Sequence, residues 1–152
     1  WARLHVICGS CVLMAAVSID KFCEAVCIDD PNARLVVQTA LTQKIDLNSR
    51  NKNGEAALHL AVQYRQLRHV SLLIEAQADV HVTDKFGRTA LHIAAFYNAG
   101  REIVMALLKA PYVDVTFRTY MGWTVLHEIA YSYNGRYWND KSRIVMASVF
   151  LE

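Results

Sequence analysis

The chain reads GEAALHLA at residues 54–61, GRTALHIA at residues 87–94 and GWTVLHEIA at residues 122–130. The glycines that open these blocks, Gly54, Gly87 and Gly122, are 33 and then 35 residues apart. A near-fixed period of this length indicates stacked structural repeats, in which each unit packs against its neighbours. Repeat stacks usually present a surface that holds a partner. The period therefore favours a binding function over an enzyme.

The bulk composition describes a chain that can build a hydrophobic core. It has 152 residues, of which 54% are hydrophobic and 20% charged, so it is long enough for one domain and is not expected to be disordered. The net charge of +2 is too small to point to nucleic acid or to an anionic membrane as the partner.

A fourth copy of the block is expected near the start. The sequence GSCVLMAAV at residues 9–17 aligns with residues 54–62, with Met14 in place of the histidine. The offset of 45 residues gives this first unit about 12 more residues than a 33-residue repeat. Residues 4–19 carry no Asp, Glu, Lys or Arg, which is also typical of a signal-peptide core, but the repeat alignment explains them better. The first residue is Trp1, so we expect a segment of a longer protein.

Each unit is predicted to contain two helices and a loop. Leu58, Ala61 and Val62 share one face of a first helix at i, i+3, i+4 spacing. A more apolar second helix follows at residues 70–74, 103–108 and 144–149. Polar, β-like linkers at residues 45–53, 78–86 and 113–121 then lead to the Gly of the next unit, which tolerates the positive φ of a tight turn.

Helix, turn, helix and long loop at this period, with TALHIA at residues 89–94, resemble the ankyrin repeat family. The family signature is Thr-Pro-Leu-His-x-Ala, and Val12, Ala57, Ala90 and Val125 replace its Pro here. The resemblance implies an all-α solenoid of helix-turn-helix units joined by β-hairpin-like loops. It implies one domain over residues 1–152, with units at about 9–53, 54–86, 87–121 and 122–152.

Three departures from the repeat pattern are predicted to be surface adaptations for one particular partner. The first unit has an extra stretch around residues 20–30. The third unit has two extra residues near Ala99-Gly100, and the last has an insertion at residues 134–140.

The recurring histidines, His59, His92 and His127, are interpreted as structural. One histidine per unit, about 10 Å from the next at usual packing distances, cannot form a single metal or catalytic site. The resemblance implies that each ring ties the start of its helix to the neighbouring hairpin, where it satisfies buried backbone groups.

The four cysteines leave three alternatives open. Cys8, Cys11, Cys23 and Cys27 have spacings that would allow a four-thiolate zinc site or disulfides. The pairs lack Gly-rich knuckle turns, and Cys23 and Cys27 would share one helix face, so reduced thiols are favoured and no metal is predicted.

Signatures of catalysis are missing from the sequence. No Gly-rich phosphate loop is present, no Ser-His-Asp arrangement follows from spacing, and His127-Glu128 lacks the second His of a zinc protease helix because residue 131 is Tyr. We predict no enzyme activity, no cofactor and no small-molecule substrate.

The resemblance implies a binding surface on the concave side, formed by hairpin tips and the exposed ends of first helices. Aromatic, Met and Arg side chains, the types enriched at binding hot spots, occupy many of these positions. The predicted contacts are Arg50, Lys52, Tyr64, Lys85, Phe86, Arg88, Phe96, Tyr97, Arg118, Tyr120, Met121, Trp123 and Tyr131.

The predicted function is non-catalytic protein–protein recognition inside the cell, in the cytoplasm or nucleus. The basic residues along the tips favour an acidic or phosphorylated segment as partner, whereas nucleic acid is less favoured and membrane insertion is not expected. Two alternatives stay open: an inhibitor that masks a Rel-type transcription factor, and a structural repeat segment of a larger scaffold or channel.

Overall fold

The protein is described by a computed structural model that covers residues 19–27, 33–131, 144 and 147–149. Seven helices have defined bounds in this part of the chain, and residues 144 and 147–149 are also helical. Their bounds are α1 Ile19–Val26, α2 Ala33–Thr42, α3 Ala57–Gln63, α4 Leu67–Glu75, α5 Ala90–Tyr97, α6 Arg101–Leu108 and α7 Val125–Tyr131. Within these residues no strand forms, and one antiparallel bridge joins Arg50 to Ala56.

The helices stack in two rows. Helices α1, α3, α5 and α7 pack against one another in chain order, and α2, α4 and α6 form the second row. Within a unit the two helices also touch, as in the pairs α1 with α2, α3 with α4 and α5 with α6. Each helix therefore contacts its partner and its nearest repeats, which confirms the predicted all-α repeat solenoid.

Small side chains let the first helices approach closely. Ala57, Ala61, Ala90 and Ala94 are all buried, with exposed fractions of 0–1%. The second row fills the space behind them with larger side chains, and its most deeply buried residues are Val70, Leu73, Val104 and Leu107. The core is thus a continuous layer between the two rows, as the i, i+3, i+4 spacing predicts.

The loops between units are closed by one recurring turn. A polar side chain lies three residues before each repeat Gly and accepts a backbone N–H across the turn: Asn51 from Glu55, Asp84 from Arg88 and Thr119 from Trp123. The backbone N–H of each Gly donates to the carbonyl of the same polar residue, and each Gly has φ between 75° and 80°. The predicted β-hairpin-like linkers are therefore present, with little strand character.

The first unit differs from its predicted alignment. Residues 19–26, expected to belong to an extra stretch, form α1, and α1 packs on α2 and α3 just as α3 packs on α4 and α5. Phe22 and Val26 supply its buried face. Helix α1 thus takes the place in the stack that the alignment assigned to residues 9–17, which lie outside the described residues.

The two extra residues of the third unit are not both near Ala99-Gly100. The left-handed residues Arg65 and Asn98, which end α3 and α5, are 33 apart. The buried Val70 and Val104 of the second helices are 34 apart, and one extra residue is therefore added before α6. The left-handed Gln77 and Tyr112 are 35 apart, so the other is added after α6. The insertion predicted at residues 134–140 lies outside the described residues.

Two repeat glycines make a matched test of the turn. A Cβ at Gly87 would lie 2.6 Å from Tyr120 Cδ1 and 2.8 Å from the Tyr120 backbone N, whereas a Cβ at Gly122 would meet nothing within 4 Å. Both residues have a positive φ, so Gly122→Ala should cost about 1 kcal/mol of unfolding free energy and Gly87→Ala at least about 2 kcal/mol, measured by urea denaturation. Equal costs would show that the hairpins do not pack this closely.

Candidate protein-binding surface

His59 and His92 link each unit to the next. The Nδ1 atom of His59 accepts the Ala56 backbone N–H at 3.0 Å, and its Nε2 donates to the Val82 carbonyl of the following hairpin at 2.9 Å. The Nδ1 atom of His92 accepts the Thr89 hydroxyl at 2.9 Å, and its Nε2 donates to the Trp123 carbonyl at 3.2 Å. Each ring therefore caps its own helix and holds the next hairpin, which requires the Nε2–H tautomer.

Burial keeps both linking rings neutral. Desolvation lowers the pKa of His59 and that of His92 below the ordinary value, although their hydrogen bonds to backbone carbonyls act in the opposite direction. His127 is different, because it is exposed and its Nδ1 accepts only from Thr124 among the described residues. His127 therefore shares the contact at the start of its own helix, and its link to a following hairpin stays a prediction.

Replacing the linking histidine should destabilise the stack. His92→Ala removes both hydrogen bonds and strands the buried Thr89 hydroxyl, so we expect a loss of about 2–4 kcal/mol in unfolding free energy, against less than about 1 kcal/mol for His127→Ala. Because the folded pKa of His92 is lowered, stability is retained above pH 6.5 and lost as the pH falls below it. The non-titrating His92→Gln should show a weaker loss on acidification; equal pH profiles would contradict this account.

The second hairpin presents a stacked aromatic group that we call the Phe86–Arg88–Phe96 stack. The Arg88 guanidinium carbon lies 4.8 Å from the Phe86 ring centroid and 5.7 Å from that of Phe96, and Lys85 Nζ lies 5.2 Å from the Phe86 centroid. Cation–π attraction of this kind holds the rings in place. Phe86 nevertheless stays 53% exposed.

Asp84 fixes the orientation of this stack. Its carboxylate is almost fully buried, pairs with Arg88 Nη2 at 2.8 Å and accepts the Arg88 Nε–H at 2.8 Å. The same carboxylate accepts the backbone N–H groups of Phe86 and Arg88. Arg88, predicted to be a contact for an acidic partner, thus has its charge largely neutralised within the protein. The sequence analysis missed Asp84. It could have been found from the pattern that a polar residue lies three positions before each repeat Gly.

The third hairpin tip lies beside the second. The Tyr120 backbone N–H donates to the Phe86 carbonyl at 3.1 Å, so the two tips are in direct contact. Tyr120 and Met121 are 76% and 77% exposed, and together with Phe86 they form what we call the tip ridge. Arg118 is exposed at the same tip, where its Nη1 donates to the Gly122 carbonyl.

A second aromatic group lies at the first helices of the later units. The Trp123 and Tyr131 rings are 4.7 Å apart, and the Phe96 and Tyr97 rings are 5.0 Å apart in an edge-to-face pair. Tyr131 is 59% exposed, whereas Trp123, Phe96 and Tyr97 are half-buried. These side chains therefore pack partly on their own neighbours and expose edges rather than whole faces.

The contacts predicted in the first hairpin lie in a different environment. Arg50 Nη2 donates to Thr83 Oγ1 at 3.2 Å, so it reaches the next hairpin. The Lys52 backbone N–H donates to Asp20 Oδ1 at 3.2 Å, and Tyr64 is 52% exposed at the end of α3. Lys52 and Tyr64 line a pocket together with the acidic Asp20, Glu24 and Glu55. The basic stripe predicted along the tips is thus interrupted by negative charge at this end.

Cys23 and Cys27 are free thiols on one helix face, and Cys27 Sγ contacts the Cys23 carbonyl at 3.1 Å. Burial, with smaller contributions from Cys27 and nearby acidic groups, raises the pKa of Cys23 to about 12. Burial, with smaller contributions from Glu55 and Glu24, raises the pKa of Cys27 to about 11. In the part of the chain described, no group of three or more His, Cys, Asp or Glu is placed to hold a metal ion. Cys8 and Cys11, the other members of the zinc and disulfide alternatives, lie outside that part.

These raised pKa values predict unreactive thiols. In a Cys8→Ser/Cys11→Ser protein at pH 8, Cys23 and Cys27 should react with dithionitrobenzoate roughly hundreds of times more slowly than a small thiol, because so little thiolate is present. Denaturation in guanidinium chloride should restore ordinary rates. Fast reaction of the folded protein would contradict the burial of α1 against its neighbours.

The geometry defines a class of protein before any comparison: a stack of helix pairs joined by hairpin turns, with exposed aromatic tips. A family model described as "Ankyrin repeats (3 copies)" matches residues 13–119 and again residues 76–138. The chain therefore belongs to the ankyrin repeat family. No curated protein matches it closely enough to indicate a relative.

Ankyrin repeats are generally protein–protein interaction modules rather than enzymes, so the family carries a general role in binding proteins. Among the helices described, none has the length and apolar character needed to cross a bilayer.

Proposed function

We propose that the chain is a non-catalytic recognition module that binds another protein through the tip ridge and the adjacent first helices. The observation that carries this proposal is the contact between two hairpin tips that together expose Phe86, Tyr120 and Met121 by 53–77%. Large aromatic and Met side chains that are gathered together and exposed to this degree are residue types found at binding hot spots.

The surroundings of the ridge favour a partner segment with apolar side chains at its centre and negative charge beside it. Lys85 and Arg118 are exposed next to the ridge, whereas Arg88 is held by Asp84. An acidic or phosphorylated segment would complement Lys85 and Arg118 without disturbing the Phe86–Arg88–Phe96 stack. The other predicted contacts, Trp123, Tyr97 and Tyr131, would extend the surface towards α7.

The scaffold alternative is favoured by a separate observation at α7. Leu126 is 43% exposed, whereas its equivalents Leu58 and Leu91 are 3% exposed because the next unit covers them. If the face of α7 packs on further repeats, the isolated chain should self-associate, which light scattering measures. Masking of a Rel-type factor is a narrower form of the binding proposal, and a pull-down with Rel-type domains tests it.

The location and the unit boundaries are also proposals. We propose an intracellular site, in the cytoplasm or nucleus, supported by the free thiols of the buried Cys23 and the partly buried Cys27. The single domain over residues 1–152 is a proposal, supported within residues 19–131 by the continuity of the helix stack. The start of the first unit and the count of four units rest on the alignment alone.

Substitutions in the tip ridge, or at Trp123 beside it, should weaken binding without unfolding the protein. A photo-cross-linking side chain at position 121 of the protein would capture the partner from cells for identification. Phe86→Ala or Trp123→Ala should then weaken the measured affinity by about 1–3 kcal/mol, because each truncation removes an aromatic contact.

The matched control is Lys109→Ala, an exposed side chain at the end of α6, which should bind like the wild type. Thermal unfolding of each variant separates lost binding from lost folding. Normal binding by both Phe86→Ala and Trp123→Ala would rule out the proposed surface.

A further inference from the structure

A pocket lies where the first unit meets the second, one hairpin before the tip ridge. It has a volume of about 320 Å³ and is lined by α1, by the first hairpin and by the end of α3. That volume would hold roughly ten water molecules at about 30 Å³ each, so a long side chain can enter it. No binding role follows for this pocket from the repeat signature.

The rim of the pocket is acidic. Asp20 and Glu24 lie on α1, and Glu55 follows the first repeat Gly. None of the three forms an ion pair with a described residue; Asp20 accepts the Lys52 backbone N–H, and Glu55 Oε2 lies 3.5 Å from Asn51 Nδ2. Lys52 also lines the pocket, so its lining carries three carboxylates and one ammonium group among the residues that the structure describes.

The pKa values of the two thiols beside the pocket respond to the same negative charge. After burial, which is the main cause, and the neighbouring Cys27, the carboxylates of Asp20, Glu55 and Glu24 raise the pKa of Cys23. Burial, then Glu55 and Glu24, raise the pKa of Cys27. All three acidic groups therefore act on the same small volume, and a positive group placed there would be stabilised.

The rest of the lining suits the stem of a long cationic side chain. Tyr64, half-exposed at the end of α3, offers a ring to a guanidinium or ammonium group. Leu60 and Cys23 are buried and provide apolar contact for methylene groups. A metal ion fits less well, because no three ligand side chains in the described part of the chain converge on one point.

We infer that this pocket, one hairpin before the tip ridge, binds an arginine or lysine side chain of the partner segment. The inference rests on the proposed function and adds a direction of binding to it. The partner segment would carry a cation near α1, and apolar side chains with negative charge near Phe86 and Tyr120. Such a bipolar segment binds in one direction only, since the reversed orientation would place like charges together.

The test uses two small probes on the intact chain, followed by NMR. N-acetyl-arginine amide carries the guanidinium, and N-acetyl-citrulline amide is its neutral isostere. The arginine probe should shift backbone amide signals of residues 20–27, 51–55 and 60–64 in a saturable way, and the citrulline probe should not. Equal shifts with both probes, or arginine shifts spread over the whole surface, would overturn the inference.

A pair of variants adds a second, independent check. Glu24→Gln/Glu55→Gln should weaken the arginine probe at least tenfold, whereas Glu75→Gln, an exposed carboxylate on α4, should leave it unchanged. Retained affinity in the double variant would also overturn the inference. If the double variant fails to fold, the contrast between the two probes on the wild type still decides whether the pocket binds a cationic side chain.

Failure here is distinguishable from failure of the proposed function. Loss of partner binding in Phe86→Ala together with indifference to both probes would keep the tip ridge and remove the cation pocket. A selective response to the arginine probe, with normal partner binding in Phe86→Ala and Trp123→Ala, would keep the cation pocket and remove the tip ridge.

Discussion

The hydrogen bonds of His59 and His92 are the interaction on which the rest of the structure depends. Each ring accepts a donor at the start of its own helix and donates to the hairpin of the next unit, so one side chain sets both the helix start and the position of the neighbour. Because the rings are buried and neutral, these bonds form in a low-dielectric setting where their loss leaves polar groups unpaired. The hairpin tips are placed by this linkage, and the surface proposed for binding is built on them.

Much of this architecture could be predicted from the sequence because it repeats. The period of the Gly and His positions gives the helix pairs, the turns and the shared role of the histidines. The first unit could not be placed in this way. Helix α1 lacks the Leu-His pair, and its position is decided by the burial of Phe22 and Val26 against neighbours that are distant in sequence. Pattern matching favoured residues 9–17 instead, since local similarity carries no information on which segment fills the stack.

The exposure of the aromatic residues in the candidate surface could be predicted from the sequence, but the pairing of its charged residues could not. Phe86, Tyr120 and Met121 were identified from their places beside the repeat Gly, and they are well exposed. Arg88 was identified as a cation for the partner, but the buried Asp84 pairs with it, a contact that needs the folded turn. The opposite holds for Asp20, Glu24 and Glu55, which are scattered in sequence and meet only when α1 packs beside the first hairpin.

The proposed surface therefore combines the aromatic tip ridge with the acidic pocket beside α1. We propose that this face, and not the outer side of α4 and α6, meets the partner. Hydrogen–deuterium exchange of the protein with and without its bound partner tests this most directly, because hairpin amides become protected only where they are covered. The account predicts added protection at residues 83–88 and 118–123, with no change on the outer side of α4 and α6. Protection confined to α4 and α6, with the hairpin tips exchanging as in the free protein, would contradict it.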